Sequence, residues 1–71
     1  MDANATDHPI AEARANMSDL LASVRLLRRT KFLTSRGKRH AAVIPADLGE
    51  LIEKVGGPDA AAELLKSQIE D

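Results

Sequence analysis

Apolar positions set the rhythm of this chain. Between residues 11 and 28, Ala13, Met17, Leu20, Leu21, Val24 and Leu27 recur at spacings of three and four. That period places them on one face of a helix, and it predicts a helix over residues 11–28, bent or broken near its end. Met17, Leu20, Leu21 and Val24 are then core or dimer interface. Arg14, Ser18, Ala22 and Arg25 fall on a different face. Ala11 is a poor N-cap, so the helix starts without strong chemistry. Ahead of it, residues 5–10 can form a short strand. Pro9 lacks a ladder donor and confines that strand to an edge. The first half-dozen residues are expected to fray.

The period then changes. Thr30 to Ser35 is β-prone, Arg36-Gly37-Lys38 supplies a turn, and Arg39 to Ile44 reads as a second strand that stops at Pro45. Together they predict a hairpin. Ala41, Ala42, Val43 and Ile44 form an unbroken apolar run, the pattern of a strand buried on both faces, with Val43 in the core or dimer interface. Asp47 and Glu50 have the spacing of a capping box, with Asp in place of Ser or Thr. They precede a short helix whose stripe is Leu48, Leu51, Ile52 and Val55. Gly56-Gly57 ends it, and Pro58 suits the first turn of a last helix over about 58–70. That helix gathers Ala61, Leu64, Leu65 and Gln68 on one side, with Ile69 beside them. Strand, helix, hairpin, helix and a C-terminal helical segment make an α+β chain. The order excludes a ribbon–helix–helix arrangement, in which no hairpin follows the helix.

Composition limits what this pattern can build. The chain has 71 residues, no cysteine, no tryptophan, no tyrosine and one phenylalanine, Phe32. A chain this short buries only about 60% of the surface its unfolded form exposes. With no disulfide and few large rings, its core is marginal, and a second copy is the expected remedy. No apolar run approaches the ~20 residues of a membrane span, and the N-terminus has no signal-peptide pattern. A cytoplasmic location without membrane contact is expected.

Charge is sorted rather than mixed. Residues 1–24 hold four acids against Arg14, residues 25–40 hold seven Lys or Arg and no acid, and residues 41–71 hold seven acids against Lys54 and Lys66. A basic middle between acidic ends points to a polyanion at one place and a different partner at another. No aromatic stacking platform is interleaved with the basic run, which favours duplex over single-stranded nucleic acid.

Signals for chemistry are absent. His8 and His40 are far apart with no cysteine near them, and no zinc spacing exists. Gly37 stands alone, and Gly56-Gly57 follows a helix instead of opening one, so no phosphate loop is present. Ser18, Ser23, Ser35 and Ser67 lack a nucleophile motif and read as caps, surface residues or backbone contacts. The expectation is a protein that is not an enzyme and takes no cofactor or metal.

Two ordered blocks carry a resemblance. Residues 10–21 read I-A-E-A-R-A-N-M-S-D-L-L, and residues 32–45 read F-L-T-S-R-G-K-R-H-A-A-V-I-P. They resemble the Phd/YefM family of bacterial antitoxins, whose members typically read I-S-E-A-R-x-N-L-S-x-L-L and then V-x-I-T-R-x-G-x-x-V-A-V-L-V-P. The likeness spans about residues 9–53. Ala11 replaces the usual capping Ser or Thr, Ser35 stands where an arginine often follows the Thr, and Arg28-Arg29 occupy a spacer that is often acidic. The segment after Val55 is short.

The resemblance implies an N-terminal dimerisation and DNA-binding domain over residues 1–55 and a C-terminal toxin-binding segment over residues 56–71. It implies the antitoxin of a type II toxin–antitoxin system, which neutralises its toxin by direct binding and represses its own operon by binding operator DNA as a dimer. The alternative is a dimeric interaction module of the same fold without DNA binding. Arg14 matches the Glu-Ala-Arg arginine, a candidate DNA contact. Asn16 and Ser18 are candidate partners for phosphate or base edges. Arg28, Arg29, Arg36, Lys38 and Arg39 are candidate phosphate contacts. Leu64, Leu65 and Ile69 are candidate toxin anchors, with Asp59 and Glu63 meeting a basic surface.

Overall fold

A computed structural model describes residues 5–70. Its elements in chain order are β1 (Asp7–Pro9), α1 (Ile10–Ala15), α2 (Met17–Leu27), β2 (Lys31–Ser35), β3 (Lys38–Val43), α3 (Ala46–Lys54) and α4 (Pro58–Ile69). The three strands form one sheet in the order β1-β2-β3. β1 runs parallel to β2, with Asp7, His8 and Pro9 opposite Phe32, Leu33 and Thr34. Parallel neighbours need a long crossover, and α1 with α2 provides it. β1 is an edge strand, as Pro9 requires.

The long first helix is in fact two. Asn16 interrupts it at φ −123° and ψ 32°. Its Nδ2 donates to the Glu12 carbonyl at 3.0 Å, alongside its own backbone N–H at 3.1 Å. The break lies near the middle of the expected helix, not near its end. The C-terminus of α2 is closed by Arg28 in the left-handed conformation, φ 57°.

The core lies between α1, α2 and the sheet. Ala13, Leu20 and Val24 are buried, and Leu33 and Val43 pack against them. Met17 and Leu21, expected beside Leu20, are 39% and 47% exposed. The turn at Asn16 and the single layer of helix leave them facing out. Ser23 is not a surface residue. It is buried on α2, and its hydroxyl has no hydrogen-bond partner among the described residues.

The N-terminal segment is better tied than its composition promised. Residues 1–4 of the stretch expected to fray lie outside the described residues. The Ala5 carbonyl accepts from His8 Nε2 at 3.1 Å and from Lys31 Nζ, and the Thr6 carbonyl accepts from Phe32 N at 2.8 Å. His8 and Lys31 are almost wholly buried. Lys31 therefore leaves the basic surface to which its sequence neighbours belong.

The hairpin is tighter than expected. Arg36 and Gly37 both have positive φ, 53° and 76°. That pair is the two-residue type I′ turn whose twist matches a hairpin, and glycine takes its second position without strain. Lys38 already pairs with Ser35 in the ladder. β3 is the other edge of the sheet, and all its residues except Val43 are exposed. The apolar run Ala41–Ile44 thus does not mark a strand buried on both faces within one chain. One chain supplies a single helical layer, and the remaining apolar surface is left bare.

α3 begins without the capping box. Its N-cap is Pro45, no side chain caps it, and Asp47 bonds Arg28 instead. α3 buries no residue, and α4 buries only Ala61. Gly56 and Gly57, at φ 110° and 101°, turn the chain between them. The radius of gyration, 13.4 Å, exceeds the roughly 11 Å of a compact chain this long. The excess fits a helical arm that adds little to the core.

Candidate functional site

The residues singled out for DNA fall into three groups. Arg14, Asn16 and Ser18 sit together at the α1–α2 break, around an open polar depression of 240 Å³. The break brings the start of α2 next to Arg14, and the first N–H groups of a helix carry no intrahelical partner. Arg14 and Ser18 are exposed and Asn16 is partly buried. Asn16 already donates to Glu12, so only part of its bonding capacity faces outward.

Arg28 and Arg29 lie in the link between α2 and β2. Arg28 is engaged: its Nη1 and Nη2 reach the two carboxylate oxygens of Asp47 at 2.7 and 2.8 Å. Both side chains remain well exposed. The hydrogen bonds from the guanidinium hold the Asp47 carboxyl below the usual aspartate range, and they raise the Arg28 pKa in turn. Arg29 is exposed.

Arg36, Lys38 and Arg39 occupy the hairpin. Arg36 is at its tip and exposed. Arg39 is drawn elsewhere. The ladder pairs Leu33 with Ala41 but Thr34 with Arg39, so His40 is an extra residue, a bulge. The bulge puts Arg39 on the same face as Phe32. There its guanidinium lies 3.8 Å from the ring centroid and bonds Asp7 at 2.8 Å. Asp7 stands across the ladder from Phe32, so Arg39 straps the sheet from one edge to the other. Nothing in the sequence pattern marked the bulge, since Arg-His-Ala reads equally well as regular strand.

The described basic surface is therefore narrower than seven charges. Lys31 is buried, Arg28 and Arg39 are paired with acids, and Arg25, Arg29, Arg36 and Lys38 are exposed alongside Arg14.

Two apolar surfaces complete the picture. The first is a groove of about 320 Å³ between α2 and the β3–α3 link, lined by Leu21, Val24, Val43, Ile44 and Pro45. It joins Leu21, Val24 and Val43, three of the five residues expected in the core or at a dimer contact, and leaves out Met17 and Leu20. The second is a shallow groove of about 150 Å³ between α3 and α4, with a wholly apolar lining that includes Leu48, Leu51, Leu64 and Leu65. Leu64 and Leu65, expected as toxin anchors, are 56% and 60% exposed and belong to it, whereas Ile69 is 82% exposed and lies outside. Leu48, Leu51 and Val55 were read from the sequence only as a helix stripe. Asp59 and Glu63 are exposed on α4.

Among the described residues no cluster of His, Asp or Glu could hold a metal ion, and no helix is long and apolar enough to cross a membrane. Comparison with protein-family profiles, with characterised proteins and with solved structures finds no match to this chain.

Proposed function

We propose that the protein is a dimeric antitoxin of the Phd/YefM kind, which binds operator DNA through its basic surface and a toxin through α3 and α4. The observation that carries the reading is the separation of two chemistries onto different elements. Exposed cations stand at the α1–α2 break, the α2–β2 link and the hairpin tip. Exposed leucines flanked by acids stand on α3 and α4. Phosphate contacts need the first set, and an apolar anchor on a cationic partner needs the second. The groove beside Leu21 and Val43, and the exposed edge strand β3, are the surfaces a second copy would cover.

A dimeric module without DNA binding is the second reading. What favours it is the engagement of Arg28 and Arg39 by acids, which reduces the charge available to phosphate. Duplex DNA from upstream of the coding sequence separates the two. Under the antitoxin reading the chain binds it, and Arg14→Ala and Arg36→Ala each lower the slope of log K against log salt by about one unit per subunit. Absence of duplex binding would leave the module reading standing, whereas binding with unchanged affinity and slope in both variants would move the DNA contact to other residues. Neutralisation of a toxin encoded by the adjacent reading frame, measured by growth rescue, tests the other half.

A further inference from the structure

The Arg28–Asp47 pair joins the two halves of this molecule. Arg28 caps α2 in the left-handed conformation, and Asp47 lies in the first turn of α3. α3 buries no side chain of its own, and this two-pronged contact ties its first turn to the helix–sheet unit. The carboxylate meets the guanidinium fork as a phosphate would, through two oxygens at 2.7 and 2.8 Å. Arg29 is exposed next to it, and Arg36 is exposed at the hairpin tip.

We infer that Asp47 is a built-in competitor for DNA phosphate at Arg28, an autoinhibitory contact that couples DNA binding to the attachment of α3. In the free chain the fork is filled by Asp47. A DNA phosphate reaching Arg28 displaces the carboxylate and releases the first turn of α3. By reciprocity, a ligand on the α3–α4 arm that holds α3 against Arg28 weakens DNA binding. The inference rests on the DNA-binding half of the proposed function.

The test measures duplex binding by fluorescence anisotropy over a range of salt, with the 71-residue chain and its variants Asp47→Asn, Arg28→Ala and both together. Glu50→Gln makes the same charge change on α3 without touching Arg28. Asp47→Asn is expected to bind roughly two- to fivefold more tightly at low salt, the scale of an exposed ion pair. The gain shrinks as salt rises, and it vanishes in the Arg28→Ala background. Asp47→Ser replaces Asp47→Asn if the latter fails to fold. Equal affinity of Asp47→Asn and parent overturns the inference while DNA binding itself stands. A gain that survives Arg28→Ala, or that Glu50→Gln reproduces, also overturns it, because the effect is then general charge. Absence of duplex binding by the parent chain removes the proposed function and this inference together.

Discussion

The helix–sheet unit and the α3–α4 arm spend similar amounts of apolar sequence in opposite ways. In the first, Ala13, Leu20 and Val24 vanish between α1, α2 and the sheet. In the second, Leu48, Leu51, Leu64 and Leu65 are each 40% exposed or more, and Ala61 alone is buried. Both regions have the same period of three and four. The difference is what lies opposite: a sheet closes over one stripe, while the two arm helices have only each other. A stripe at helical spacing therefore reports that a helix wants a partner, not that the chain itself provides one.

The sharpest way to break this contrast is a leucine truncation in each region. Leu20→Ala should cost about 2–4 kcal/mol, because the site is closed on all sides and cannot collapse. In a chain this small that is a large share of the total. Leu64→Ala should cost less than about 0.5 kcal/mol. Urea unfolding of both variants checks the pair, and similar losses would mean that the arm belongs to the core.

Removing residues 57–71 is expected to have a smaller effect on the remaining fold. The melting transition of the helix–sheet unit should move by no more than a few degrees, and duplex binding should persist. Growth rescue against a toxin should be lost, since Leu64 and Leu65 are gone. A truncated chain that unfolds would place α4 among the elements that hold the unit together.

The finest probe is pH, which reads the tie between the two regions. Asp47 is held below its ordinary value when folded, chiefly by the hydrogen bonds from Arg28. A depressed carboxyl contributes stability that is present above its unfolded value and lost as pH falls through its folded one. The contribution should therefore fade below about pH 4. Melting temperatures of the parent and Asp47→Asn chains should converge over that range. Both groups are exposed, so the effect is small and should weaken further with salt.

Much of this architecture was legible because it depends on neighbours in sequence. Pro9 restricts β1 to an edge, Gly37 permits the hairpin turn, and Gly56-Gly57-Pro58 separates α3 from α4. Each is a backbone constraint that acts within a few residues. The period marked Leu20 and Val24 as core or dimer interface, together with Met17 and Leu21, which the fold leaves exposed. The break at Asn16 was misplaced because the apolar period runs straight through it, and only the backbone angles of that one residue depart from the helix.

What the chain's order alone could not decide is which charges remain available and which apolar residues remain bare. Seven cations in residues 25–40 look equivalent in sequence. Tertiary structure buries Lys31 beneath the N-terminal segment, ties Arg28 to a residue nineteen positions away and Arg39 to one thirty-two away, and leaves Arg36 at an exposed tip. The Arg39 contact exists because the bulge at His40 changes which face that side chain occupies, a property of pairing between strands. Likewise Met17 and Leu21 share the period of Leu20, but only Leu20 has the sheet across from it. Local chemistry determines where helices and turns begin, because those forces act over a few residues. Whether a side chain ends as core, ion pair or open surface depends on what another part of the chain places opposite it.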